Sequence, residues 1–241
     1  DKQAIGQRKS VLVHEISQMV FNHTDVLLLT IFTNLKVVSV YVIYNTIVDI
    51  ISTLIGNIHN GFSFRLGQIF NTDKQRYKHV YDVYETGYMA MSMILYCVTY
   101  IFLLPFMTLY TEGINDVNYL NKWLPFLFVT IKLLVSGRAL AGATISYAGK
   151  FQETRGRAII EMCINLVVSV VCVNLFGIYG VLLGTIAALL YRANDMIIYT
   201  RKNILEQSPW KTYSKWIANL LPFGAVVAIS LFLFPVKADS Y

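Results

Sequence analysis

Residues Val11–Phe32 read VLVHEISQMVFNHTDVLLLTIF. The run is long enough to cross a bilayer as a helix, which takes about 20 residues. It nevertheless carries His14, Gln18, Asn22 and Asp25 at spacings of four, four and three. On a helix turning about 100° per residue, these side chains fall within an arc of roughly 80°. The other faces, with Val20, Leu27, Leu28 and Ile31, are apolar enough to meet lipid. A carboxylate at membrane depth costs at least about 2.5–3.5 kcal/mol unless it faces protein or water. The polar stripe is therefore expected to look inward, onto a hydrated cavity or a neighbouring helix. The rest of the chain is expected to supply the other walls of that space.

Composition agrees. Apolar residues make up 56% of the chain and charged residues 14%, against about 25% charged in an ordinary soluble domain. The opening DKQAIGQRKS is polar and lacks the pattern of a cleaved signal peptide. Because the chain starts at Asp1 and stops soon after an apolar run, the expectation is a piece of a longer protein, truncated at both ends. Cys97, Cys163 and Cys172 sit in apolar runs with no metal-ligand or disulfide spacing, and read as small buried hydrophobes. No metal or other cofactor is called for.

Seven crossings are expected, all helical. The first is Val11–Phe32, and a tight turn at Asn34–Lys36 leads to a second, about Val37–Ile58, with Asn45, Asp49 and Ser52 on one face. From His59 to Val83 the chain is polar and basic and reads as a loop plus an interfacial helix. There Tyr77, Tyr81, Tyr84 and Tyr88 suggest an aromatic belt at headgroup level. The third crossing is about Thr86–Tyr110, bent near Pro105, and the fourth about Trp123–Tyr147. The fifth, Ala158–Phe176, turns through Gly177–Gly180 into the sixth, Val181–Tyr199. A basic linker, Arg201–Lys215, reads as a second interfacial helix before the seventh, about Trp216–Phe234.

Charge sets the expected orientation. With the N-terminus cytoplasmic, 15 basic residues fall in the inner segments, among them Arg65, Arg76, Arg155 and Arg201. Only Lys36, Lys122 and Lys237 fall outside. The positive-inside rule favours that assignment. It also accounts for most of the +6 net charge without a nucleic-acid partner; the basic inner segments are expected to attract anionic membrane lipids.

Two stretches are more specific. FNHTDVLLLTIFTNLKVVSVYVIYNTIVDII (Phe21–Ile51) and RGRAIIEMCINLVVSVVCVNLFGIYGVLLGTIAALLYR (Arg155–Arg192) resemble the second half of bacterial polysaccharide flippases. These belong to the multidrug/oligosaccharidyl-lipid/polysaccharide exporter superfamily. The residues that carry the resemblance are Thr24-Asp25, the Val38–Tyr41 start of the second helix, and the series Glu161, Asn165, Ser169, Gly177, Gly180, Gly184 and Thr185. The resemblance implies a protein of two helical bundles around a central cavity, with this chain the second bundle, lacking its final helix. It implies translocation of undecaprenyl-diphosphate-linked oligosaccharide (O-antigen or capsule repeat) units across the cytoplasmic membrane, with H+ or Na+ as a coupling ion. A drug or cation antiporter of the same superfamily is the alternative within transport. Outside transport, it is a membrane-embedded enzyme of cell-envelope polysaccharide assembly.

The candidate cavity-lining residues are Gln18, Asn22, Asp25, Asn45, Asp49, Lys132, Glu161 and Asn165. Asp25 with Gln18 and Asn22 reads equally as a cavity wall or as an inter-helix hydrogen-bond cluster. Lys132 lies ten residues after Lys122, about 15 Å along the fourth helix. There it either meets an anionic group in transit or neutralises Asp25 or Asp49. Arg138 is expected to snorkel to the interface. Glu161 is expected to pair with Arg155 or Arg157, and Arg192 with Asp195 at i,i+3. No phosphate loop, HExxH or G-x-S-x-G occurs, and the polar residues lie inside helices. That distribution favours transport over chemistry.

Overall fold

A computed structural model describes residues 2–114 and 116–233. The side chains of Lys2, Arg8, Lys9 and His14, and the tail with Lys237, lie outside the described residues. The described chain is an all-α bundle of seven α-helices with one π-helical turn, and it contains no strand. The helices are α1 Lys2–Phe32, α2 Leu35–Thr72, α3 Lys74–Tyr110, α4 Leu124–Tyr147, α5 Phe151–Phe176, α6 Ile178–Tyr199 and α7 Trp210–Leu233. Among the described residues, α2 to α6 are long and apolar enough to cross a membrane. The chain is that of a multi-pass membrane protein.

The expected loop after Ile58 is absent. α2 runs unbroken for 38 residues and α3 for 37, about 57 and 56 Å at 1.5 Å per residue. No proline interrupts His59–Thr72, and its polar residues continue the helix instead of breaking it. The turn rests on Asp73 alone. Its extended backbone ends α2 by donating its N–H to the Ile69 carbonyl, and its carboxylate accepts the Arg76 N–H to start α3. The four tyrosines are not a headgroup belt either. Tyr77, Tyr81 and Tyr88 are buried, and Tyr77 and Tyr81 pack with Leu66, Phe70, Leu140 and Leu205 in a second, small core.

The larger core draws on all seven helices, α5 through Val173 and α7 through Phe223, with Tyr44 stacked on Phe128 at 5.8 Å between ring centres. The α5–α6 pair is built on glycine. Gly177 has φ of +53°, a conformation costly for any side chain. A Cβ on Gly184 would lie 2.1 Å from Ser169 Oγ and 2.7 Å from Ser169 N. Only hydrogen fits there, so the helices touch backbone to side chain.

The expected interfacial helix at Arg201–Lys215 is replaced by a π turn, Thr200–Ile204, a short irregular link in which Glu206 has φ of +55°, and the start of α7 at Trp210. Trp210 and Ile217 are exposed there, while the Tyr213 hydroxyl donates to Asn194 on α6. All three cysteines are free thiols, and none is fully buried as expected: Cys97 and Cys172 are half-buried and Cys163 lies exposed on α5.

Candidate functional site

The two motif-bearing stretches meet at Asp25. Thr185 on α6 donates its hydroxyl to both carboxylate oxygens, at 3.0 and 2.9 Å. Tyr41 on α2 donates to Oδ2 at 2.8 Å. Asn165 on α5 extends the chain by donating Nδ2 to Thr185 Oγ1 at 2.9 Å. All four residues are buried. The spacing of Gly180 and Gly184 explains how α6 comes close enough to α5 for the last contact. Asp25 forms no ion pair among the described residues, and Asn165 Oδ1 is buried without a hydrogen-bond partner. The node therefore gathers two hydroxyls and an amide around one carboxylate. Oxygen donors of this kind suit a hard cation or a proton. Among the described residues no His/Cys/Asp/Glu group suited to a metal ion was found.

The stripe read from α1 divides at this point. Asp25 is turned into the bundle with Ser17, Phe21, Thr24 and Leu28, whereas Gln18 and Asn22 are exposed and hydrogen-bonded to each other at 3.1 Å. Asn22 sits at the edge of the buried face, about 60° round from Asp25 on a helix advancing 100° per residue; Gln18, only about 20° round but nearly two turns nearer the N-terminus, borders a small cavity with Ser17, Phe21, Glu161 and Arg192.

Lys132 pairs with Asp49, Nζ to Oδ1 at 2.5 Å, and Asn45 donates to Asp49 Oδ2 at 2.7 Å. Of the two neutralising partners open to Lys132, the structure uses Asp49 rather than Asp25. The Asp49 side chain is 45% exposed and the lysine 14%, so the pair borders open space rather than lying in the core.

Glu161 and Arg138 depart from expectation. Arg138 does not snorkel; it reaches across to Glu161, which is buried. The second partner of Glu161 is Arg192, at 3.4 Å, and neither Arg155 nor Arg157 touches it. Arg192 does pair with Asp195 as expected, at 2.7 Å, and Arg157 takes the other oxygen of Asp195 at 2.6 Å. A buried carboxylate nearly three turns inside α5 is met by guanidiniums from α4 and α6.

A fourth cluster carries no signal in the sequence. Arg201, wholly buried in the π turn, donates to Asp82 at 2.6 Å, Glu85 at 2.6 Å and Thr212 at 2.8 Å, and lies over the Tyr81 ring. Lys215 adds a bond to Glu85 at 2.7 Å. These residues fasten α7 to α3. The Arg201, Lys211 and Lys215 charges, expected to attract lipid, are engaged with Asp82 and Glu85.

Comparison of the chain with family models, with curated proteins and with solved structures returned no match.

Proposed function

We propose that the chain is one lobe of a bacterial inner-membrane flippase for undecaprenyl-diphosphate-linked oligosaccharides, of the superfamily that its two motif stretches resemble. Its N-terminal end faces the cytoplasm, on the strength of the basic segments. The observation that supports this reading best is the convergence at Asp25. Asp25 and Tyr41 come from one stretch, Asn165 and Thr185 from the other, and they form one hydrogen-bonded node. In this reading two lobes rock about a shared cavity. Asp25 takes up the coupling ion, and the ion's arrival and loss change how tightly α1 is held to α2 and α6. The Lys132–Asp49 pair, half open to its surroundings, borders the cavity.

The test is transport by the full-length protein in vesicles. Asp25→Asn keeps the side-chain volume but removes the charge, and should abolish flipping per molecule while membrane levels stay near normal. Normal flipping by that variant would end the coupling role. Sugar transfer without flipping by the unaltered protein would replace the transport reading with an enzymatic one.

A further inference from the structure

The start of α7 is tied down by charge and hydrogen bonds. Thr212 and Lys215 bond to Glu85 on α3, and Tyr213 to Asn194 on α6. One turn on from Thr212, Trp216 is seated against α4. A Cβ on Gly137 would stand 1.8 Å from the Trp216 ring, so only a bare backbone admits the indole. The ring is fixed there, and with it the direction of its one polar atom. That atom, Nε1, is buried without a hydrogen-bond partner among the described residues. An indole N–H can only donate, and a buried donor left unpaired is costly.

Ser92 on α3 is the counterpart. A hydroxyl inside a helix commonly bonds back to the carbonyl four residues earlier, and Thr86 and Thr99 on α3 do so at 2.9 and 2.8 Å. Ser92 does not. It is 3% exposed, and its Oγ is buried with no hydrogen-bond partner among the described residues. Both residues line one cavity of about 20 Å³ between α3, α4 and α7. One water requires roughly 10–15 Å³ of such space and two to four polar partners. Ser136 and Asn219 also line the cavity. Ser136 is joined to the Tyr96 hydroxyl at 3.1 Å, and Asn219 uses its Nδ2 on the Lys215 carbonyl. Each of the three helices therefore brings a hydrogen-bonding side chain to the space. No charged side chain lines it, so an ion of similar size would find no counter-charge.

We propose that this cavity binds a single water molecule, which accepts the Trp216 N–H, bonds the Ser92 hydroxyl and so joins α7 to α3. A bridging water of this kind is nearly as good as a direct hydrogen bond. Ser92 lies seven residues beyond Glu85, on the same face of α3. The water therefore carries the polar attachment of α7 past the Arg201–Glu85 cluster, into a seam that continues on apolar contact, Phe223 against Tyr100. The inference does not depend on the transport reading.

Ultraviolet resonance Raman spectroscopy of the full chain in nanodiscs tests it, because one indole band reports whether the N–H is hydrogen-bonded. The chain has three tryptophans. Trp123 and Trp210 are exposed, so W123F/W210F should fold and leave Trp216 as the sole indole. In that parent the N–H is expected to read as bonded. Two further changes tell a water from a direct bond to the serine. Ser92→Ala removes the hydroxyl but leaves room for the water, and should keep the N–H bonded. Ser92→Thr keeps the hydroxyl but adds a methyl group to a space that holds one water, and should leave the N–H unbonded. Ser136→Thr fills the same space from α4 and should act alike, so a folding failure of one filling variant leaves the other to decide. Melting temperatures near the parent's identify the variants that fold. An unbonded N–H in the parent would overturn the proposal. So would a bond lost in Ser92→Ala, or one kept in a folded filling variant.

Discussion

Glu85 and Asp25 are buried to nearly the same degree, 3% and 4% exposed, and the protein treats them in opposite ways. Glu85 is met by two cations, Arg201 and Lys215, and by the Thr212 hydroxyl. Asp25 is met by two hydroxyls and no cation. A buried carboxylate with full counter-charge resists change in either its charge or its place, and it serves as a fastening. Neutral donors spread a charge without cancelling it. On the proposed reading, the missing counter-charge at Asp25 is the coupling ion. Burial alone thus does not separate a structural acid from a working one; the identity of the donors does.

The contrast breaks most sharply at Arg201. Arg201→Ala leaves Glu85 buried with only part of its counter-charge, and loss of one partner from such a pair costs about 3–5 kcal/mol. Thermal unfolding should show a large fall in melting temperature, partly restored by adding Glu85→Gln. If Arg201→Ala melts like the unaltered protein, the cluster is no fastening.

A smaller effect is expected where α5 meets α6. Gly184→Ala forces a methyl group against Ser169 backbone atoms, and overpacking of this kind costs about 1–3 kcal/mol. Because Thr185 follows directly, the same variant should loosen the Asp25 node. A full-length protein that loses stability yet keeps normal flipping would separate the packing from the node.

The smallest change tests the node by one bond. Tyr41→Phe deletes a single donor to Asp25, worth about 1.5–3 kcal/mol for a bond to a charged group. A less stable protein that still transports with altered ion dependence is the expected outcome. Unaltered ion dependence would mean that Asp25 is held in place by Tyr41 for structure alone.

Much of this was legible beforehand. Low charge and long apolar runs make a helical membrane bundle nearly unavoidable, and Asp25, Asn165 and Thr185 stand out as polar residues in apolar company. Their meeting was not legible, since Thr185 lies 160 residues from Asp25. The Arg201 cluster was hidden for the same reason, its carboxylates being 116 and 119 residues away. A basic residue near a helix end looks the same in sequence whether it faces headgroups or Glu85. The His59–Thr72 stretch was misjudged for a different reason. Polar residues can mark the end of an apolar span without ending the helix that carries it. The backbone keeps turning until Asp73 stops it.

On the proposed topology, the small aromatic core of Tyr77, Tyr81, Phe70 and Leu66 lies along the part of α2 and α3 that outruns the length a bilayer requires. Its neighbours are therefore held together by the reluctance of water to solvate them, a force that weakens on cooling. The helices within the lipid have no such help; they associate through close contact and hydrogen bonds. One polypeptide thus carries two cores with different thermal characters. Chilling should slacken the end that holds Arg65 and Arg76 before it slackens the helices around Asp25.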